Sequence, residues 1–261
     1  VLAALEHCPT IKAIWCEKPI ADSLNKAKVM VKKCDEKGVK LAINYLRRWD
    51  PFHIKIKNEI ESGIIGTPYI FDSQSPVGLM NCGTHLIDLA LMYSNENPIS
   101  VMGNILDDST NDPGACGLVD LGNNKKIFID CVWKDNPFFG IIIRGEGGTL
   151  IANTTDILLN SYNIIYKKVR AKITRDKTLN QSPLALALIN ILDAINETAL
   201  LLSTGENAIK SLEIAIALHA SHELNRLIKI PISQPQYKNR NFGCRITSVT
   251  KDGRVPKEWE K

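Results

Sequence analysis

The sequence predicts an α/β unit followed by an α+β domain built on a large, mostly antiparallel sheet with flanking helices. Three observations predict it. Residues 11–43 read strand, helix, strand with short joints, the signature of a parallel α/β unit. From Thr67 the texture changes to short strand runs separated by turn residues, and close connections of that kind mean antiparallel pairing. Two stretches with long apolar faces, 183–203 and 207–228, then read as helices.

In order, residues 1–6 look like the end of a helix, and 11–16 is an apolar run of buried-strand type stopped by Glu17-Lys18-Pro19. Asp22 or Ser23 caps a helix to about residue 35, with Leu24, Ala27, Val29, Met30 and Cys34 as its apolar stripe and Gly38 as its stop. Residues 39–43 form a second buried strand. Ligands of parallel sheets bind at the carboxyl ends of strands, where Glu17 and Lys18 stand. A lysine there contacts a phosphate or a substrate hydroxyl, or is a solvated loop residue. Asn44-Tyr45-Leu46-Arg47-Arg48-Trp49-Asp50-Pro51 ends the second strand. Asp50 caps, and Pro51 opens, a helix to about residue 62. The paired arginines read either as an anion site or as surface packing.

The strand runs are 69–73, 99–106, 117–121, 126–133, 139–145 and 149–152. The strongest hairpin signal is Leu118-Val119-Asp120-Leu121 turning through Gly122-Asn123-Asn124. No G-x-G-x-x-G or Walker loop occurs, and Gly145-Glu146-Gly147-Gly148-Thr149 lies between strand runs rather than before a helix. From Thr84 the apolar residues read as a buried helix, led in by Asn81 and Gly83. His85 and Asp88, three apart, share one face of it. That pair is a proton-transfer device, or a core histidine satisfied by Asp88, the commoner case on periodicity alone. His219 and His222 stand at i, i+3 with no third ligand at useful spacing, so no metal site is expected. After Ile230-Pro231-Ile232 comes a basic, turn-rich tail in which Lys251-Asp252-Gly253-Arg254 closes a small hairpin or stays disordered.

At 261 residues, 44% apolar, 23% charged and a net charge of +4, the chain fits one large or two small globular domains. Its dispersed Lys and Arg call for neither nucleic acid nor an anionic membrane. Seven cysteines without a C-x-x-C pair suit a reducing compartment. The greasiest stretch, 184–202, is broken by Asn190, Asp193, Asn196 and Glu197 and is no membrane span. With no signal-peptide pattern, the cytoplasm is the default expectation.

The order of Glu17-Lys18-Pro19, Arg47-Arg48-Trp49-Asp50-Pro51 and Gly83-Thr84-His85-Leu86-Ile87-Asp88 resembles the Gfo/Idh/MocA oxidoreductases, as do the final helix and Ile230-Pro231. The resemblance implies a truncated Rossmann domain at 1–45, a substrate and oligomerisation domain at 46–232 and a tail at 233–261. It implies NAD or NADP as cofactor and a sugar, sugar nucleotide or cyclitol as substrate. It further implies a homodimer or tetramer assembled through the sheet. Lys18, with a frequently cis bond to Pro19, would steady the reacting hydroxyl, and His85 would be the general base. Glu17, Lys18, Pro19 and Arg47 would touch the cofactor, and Arg47, Asn81 and Asp88 the substrate. Asn81 stands where many members carry an Asp four before the histidine; an amide orients a hydroxyl but takes no proton. The family's glycine-rich turn is expected ahead of residue 1, so the chain as it stands is expected to bind NAD(P) poorly. Two rival readings are an NAD-dependent glycosidase of the same family and a non-catalytic sugar-binding or scaffold subunit.

Overall fold

Ala13–Cys16 (β1) and Lys40–Ile43 (β2) run parallel in the computed structural model of the chain, from Ala13 opposite Lys40 to Cys16 opposite Ile43. The structure describes residues 1–76, 78–106, 112–132, 138–153, 161–166, 169–174 and 181–232. Leu2–His7 (α1) precedes β1, and Leu24–Glu36 (α2) joins the two strands. Of the two candidate caps for α2 the molecule uses Ser23, whose Oγ accepts from the Lys26 amide at 3.4 Å. Gly38, at φ +65°, lets the chain turn directly into β2. Ser203 flanks β2: its amide oxygen takes the Ile43 N–H at 3.0 Å, and its Oγ donates to the Ile43 carbonyl at 2.7 Å.

A 3-10 turn, Leu46–Trp49, leads from β2 into Pro51–Glu61 (α3), where Asp50 accepts from the Phe52 amide at 2.9 Å. The sheet then begins. Its strands are Pro68–Gln74 (β3), Ser100–Leu106 (β4), Gly114–Gly122 (β5), Lys125–Asp130 (β6), Gly140–Gly145 (β7), Gly148–Asn153 (β8), Ser161–Tyr166 (β9), Val169–Thr174 (β10) and Ile228–Lys229 (β11). They lie in the order β10-β9-β8-β7-β3-β6-β5-β4-β11. Every contact is antiparallel except β3 with β6. Their parallel pairing arises because the chain leaves the sheet after β3 through helix Thr84–Ser94 (α4) and crosses back before β4. The β9–β10 hairpin has no counterpart among the expected strands. The expected turn between β5 and β6 is formed by Asn123 and Asn124, both left-handed at φ 48° and 59°.

α4 and Gly205–Leu224 (α6) cover one face of the sheet, and α4 is buried over almost its whole length. Gly103 and Gly117 face each other across β4 and β5, and a Cβ on either would stand 2.4 or 2.5 Å from Leu218 of α6. Glycine there permits the close approach of helix and sheet. The helix expected over 183–203 is shorter, Pro183–Ile195 (α5). Beyond it Asn190 accepts from the Leu202 amide at 3.0 Å and donates to the Leu200 carbonyl at 2.9 Å, folding those residues into a loop. The helix expected over 207–228 also stops early, at Asn225 in the left-handed region, and the chain re-enters the sheet as β11. Among the described residues no helix is long and apolar enough to cross a membrane. The tail from 233 on, including Lys251-Asp252-Gly253-Arg254, lies outside the described residues.

Candidate active site

Lys18 leaves the carboxyl end of β1 through a cis bond to Pro19. Its Nζ donates to both the backbone oxygen and the side-chain Oδ1 of Asn81, each at 2.8 Å. Asn81 belongs to a π-helical turn, Leu79–Gly83, that opens directly into α4. Asp112, at the entry to β5, holds that turn: its carboxylate accepts from the Met80 amide at 2.7 Å and the Asn81 amide at 2.9 Å. Leu79 N–H adds a bond to the Pro113 carbonyl at 3.1 Å. Thr84 Oγ1 donates back to the Met80 carbonyl at 2.7 Å, joining turn and helix.

His85 stands on the first turn of α4, half-buried, its ring edge-on to Tyr45 at 5.8 Å between centroids. Burial, then the charges of Arg47 and Lys18, hold its pKa well below the usual imidazole range. Its Nδ1 is buried without a hydrogen-bond partner. The Arg47 guanidinium lies over the Phe139 ring at 4.7 Å. Glu17 accepts from Asn44 Nδ2 at 2.6 Å, tying together the ends of β1 and β2. Beside them a cavity of about 300 Å³ is lined by Trp15, Cys16, Glu17, Asn44 and Leu184. Thus Lys18, from the end of β1, meets Asn81 one turn before His85, and Tyr45, from the end of β2, packs on the His85 ring.

Asp88 does not join them, which corrects its assignment to the substrate. It is 1% exposed and accepts from Arg48 Nε at 3.0 and 2.8 Å and from Ser211 Oγ at 3.4 Å. Burial pushes its carboxyl up and Arg48 pulls it back. A carboxylate this deep needs a cation, and helical spacing alone does not say which one. Arg48 and Trp49 are likewise interior rather than surface packing, with Trp49 Nε1 donating to Asn190 at 2.9 Å. His222 pairs through Nδ1 with Asn104 Oδ1, and no metal-ligating cluster of three occurs among the described residues. Sequence reasoning missed Tyr45 and Asp112. Tyr45 reads as an end-of-strand residue, and Asp112 only as a turn former.

No family model matches the chain. It is 40% identical over 68 residues to an inositol 2-dehydrogenase from Rubrobacter xylanophilus, covering 26% of this chain and 20% of that one. It is 29% identical over 106 residues to a scyllo-inositol 2-dehydrogenase (NAD(+)) from Bacillus subtilis, covering 35% and 31%. The matched stretches thus span a fifth to a third of these relatives' lengths. Among solved structures, the aldose-aldose oxidoreductase from Caulobacter crescentus complexed with glycerol superposes with a TM-score of 0.75 at 15% identity, covering 84% of this chain and 72% of that one. The chain carries the fold of the Gfo/Idh/MocA-type oxidoreductases.

Proposed function

We propose that this chain provides the reacting centre of an NAD(P)-dependent oxidoreductase acting on a hydroxyl of a sugar, sugar nucleotide or cyclitol. The observation that carries this reading is the bond from Lys18 to Asn81, one helical turn ahead of His85. It brings an ammonium, an amide and an imidazole to the carboxyl ends of two parallel strands, the place where such sheets take their ligands. The relatives' names, inositol dehydrogenases and an aldose-aldose oxidoreductase, support the substrate class, and one of them names NAD(+).

The residues present fit the nicotinamide end of a dinucleotide: the Glu17–Asn44 bond braces a cavity at the strand ends. Glu17, Lys18, Pro19 and Arg47 would hold it, with residues 1–45 as the cofactor side and 46–232 as the substrate side. When bound, the dinucleotide supplies the hydride acceptor. His85, kept neutral by burial and by the charges of Arg47 and Lys18, takes the hydroxyl proton. Lys18 steadies the developing alkoxide, and Asn81 orients Lys18 and a substrate hydroxyl. We further read the open sheet face as the contact between copies of the chain.

The test is incubation with NAD+ or NADP+ and a panel of sugars and cyclitols, following net formation of reduced dinucleotide. Turnover that disappears in Lys18→Met and His85→Ala supports the reading. A protein that binds dinucleotide but reduces none of it with any substrate refutes it. Bond cleavage without net reduction points instead to the glycosidase reading.

A further inference from the structure

We propose that Asp112 is the positioning residue of this centre: by accepting from the Met80 and Asn81 amides it holds the turn on which Asn81 faces Lys18. The proposal rests on the reading of Lys18, Asn81 and His85 as the reacting centre.

A helix start leaves backbone N–H groups without intrahelical partners, and a neighbouring side chain usually caps them. Here Gly83, the residue before α4, makes no side-chain cap, and neither does Gly78 before the π-helical turn. The cap comes instead from 31 residues downstream, with one carboxylate oxygen on each of two consecutive amides, at 2.7 and 2.9 Å. Bonds to an ionised acceptor are the strong ones. Gly78 makes room for it: at φ +113°, it is where an added Cβ would come within 2.9 Å of Asp112 Oδ2. The Asn81 residue so held receives Lys18 on both its carbonyl and its side-chain oxygen. Because that residue is an amide, Asp112 brings the negative charge to its backbone that an aspartate at position 81 would bring on its side chain. Asn81 thus takes Lys18 on its two oxygens and Asp112 on its amide, so the two charges flank one turn.

The experiment needs no turnover, so failure of the hydride-transfer reading leaves it interpretable. In Asp112→Asn, amide exchange at Met80 and Asn81 is expected to quicken about 10- to 100-fold, the worth of hydrogen bonds to a charged acceptor. Elsewhere protection should persist. The Lys18 Cε and His85 ring NMR signals, and the His85 titration midpoint, should shift with it. Unchanged exchange at Met80 and Asn81 in the folded variant overturns the proposal. So does faster exchange with Lys18 and His85 unmoved, which would make Asp112 a cap and nothing more. Should Asp112→Asn not fold, the wild-type chain is titrated with acid. The Met80 and Asn81 amides and Lys18 Cε should then move together with the Asp112 carboxyl, and separate midpoints overturn the proposal.

Discussion

Lys18 Nζ reaches Asn81 twice, at its carbonyl oxygen and its Oδ1, both 2.8 Å away across 63 residues of chain. Two acceptors on one residue fix the ammonium's direction as well as its position. The partner is neutral, so the positive charge of Lys18 is oriented without being cancelled by it, and its effect on His85 persists.

On the proposed reading, replacing Lys18 by Met should remove an interaction that matters most as charge develops on the substrate oxygen. In the dinucleotide-loaded enzyme we expect kcat to fall about 100-fold or more. Folding stability should change by less than about 1 kcal/mol, since a half-exposed hydrogen bond contributes little. Equal kcat in the variant and the wild type, by steady-state kinetics, would remove Lys18 from the chemistry.

His85 makes a prediction in pH. Burial, Arg47 and Lys18 disfavour its charged form in the fold, so its folded pKa lies well below 6.5. Between that folded value and 6.5 the unfolded chain binds more protons than the native one. Stability conferred by the neutral ring is thus present above 6.5 and is lost as pH falls towards the folded pKa. Ring NMR should place the midpoint below 6.5, and Arg47→Gln should raise it. A midpoint at or above 6.5 contradicts this electrostatic account of His85.

Local chemistry made much of this fold legible. Asp50 before Pro51, Gly38 after the stripe of α2, and Asn123-Asn124 between two strand runs each act within a few residues, so the sequence displays both partners. The corners that carry Lys18 and His85 were legible for the same reason, since each adjoins a run that the sequence displays. What stayed hidden depends on distant partners. Asp88 looks like a companion of His85 because helical spacing is visible, whereas Arg48, 40 residues away, is not. The parallel β3–β6 pair and the grip of Asp112 on residue 81 are hidden for the same reason.

The Arg48–Asp88 pair should behave as a buried ion pair. Asp88→Ala leaves the guanidinium desolvated and unpaired, and should cost about 3–5 kcal/mol in chemical denaturation. Asp88→Leu combined with Arg48→Met should recover much of that loss, since an apolar pair of similar volume substitutes for such an ion pair. A cost under about 1 kcal/mol for Asp88→Ala would show that solvent reaches the pair.

Assembly is tested on the sheet face that α4 and α6 leave open. Met102, Leu118 and Phe128 lie in register across β4, β5 and β6. Asp72 of β3 follows, then Ile142 and Ile151 of β7 and β8. Met102 is 54% and Phe128 41% exposed, while their neighbours in sequence, Val101 and Ile127, are fully buried under the helices. Asp72, in the middle of the band, is met by Arg144 at 3.5 Å, so the charge there is locally balanced. A band of that composition across six strands seeks cover, and a second copy offers the same surface in a self-complementary way. Light scattering should find a dimer or tetramer, and Phe128→Glu, which puts a charge at the centre of the band, should shift it towards monomer without unfolding it. A wild-type chain that stays monomeric at micromolar concentration would mean that this face is covered by something other than itself.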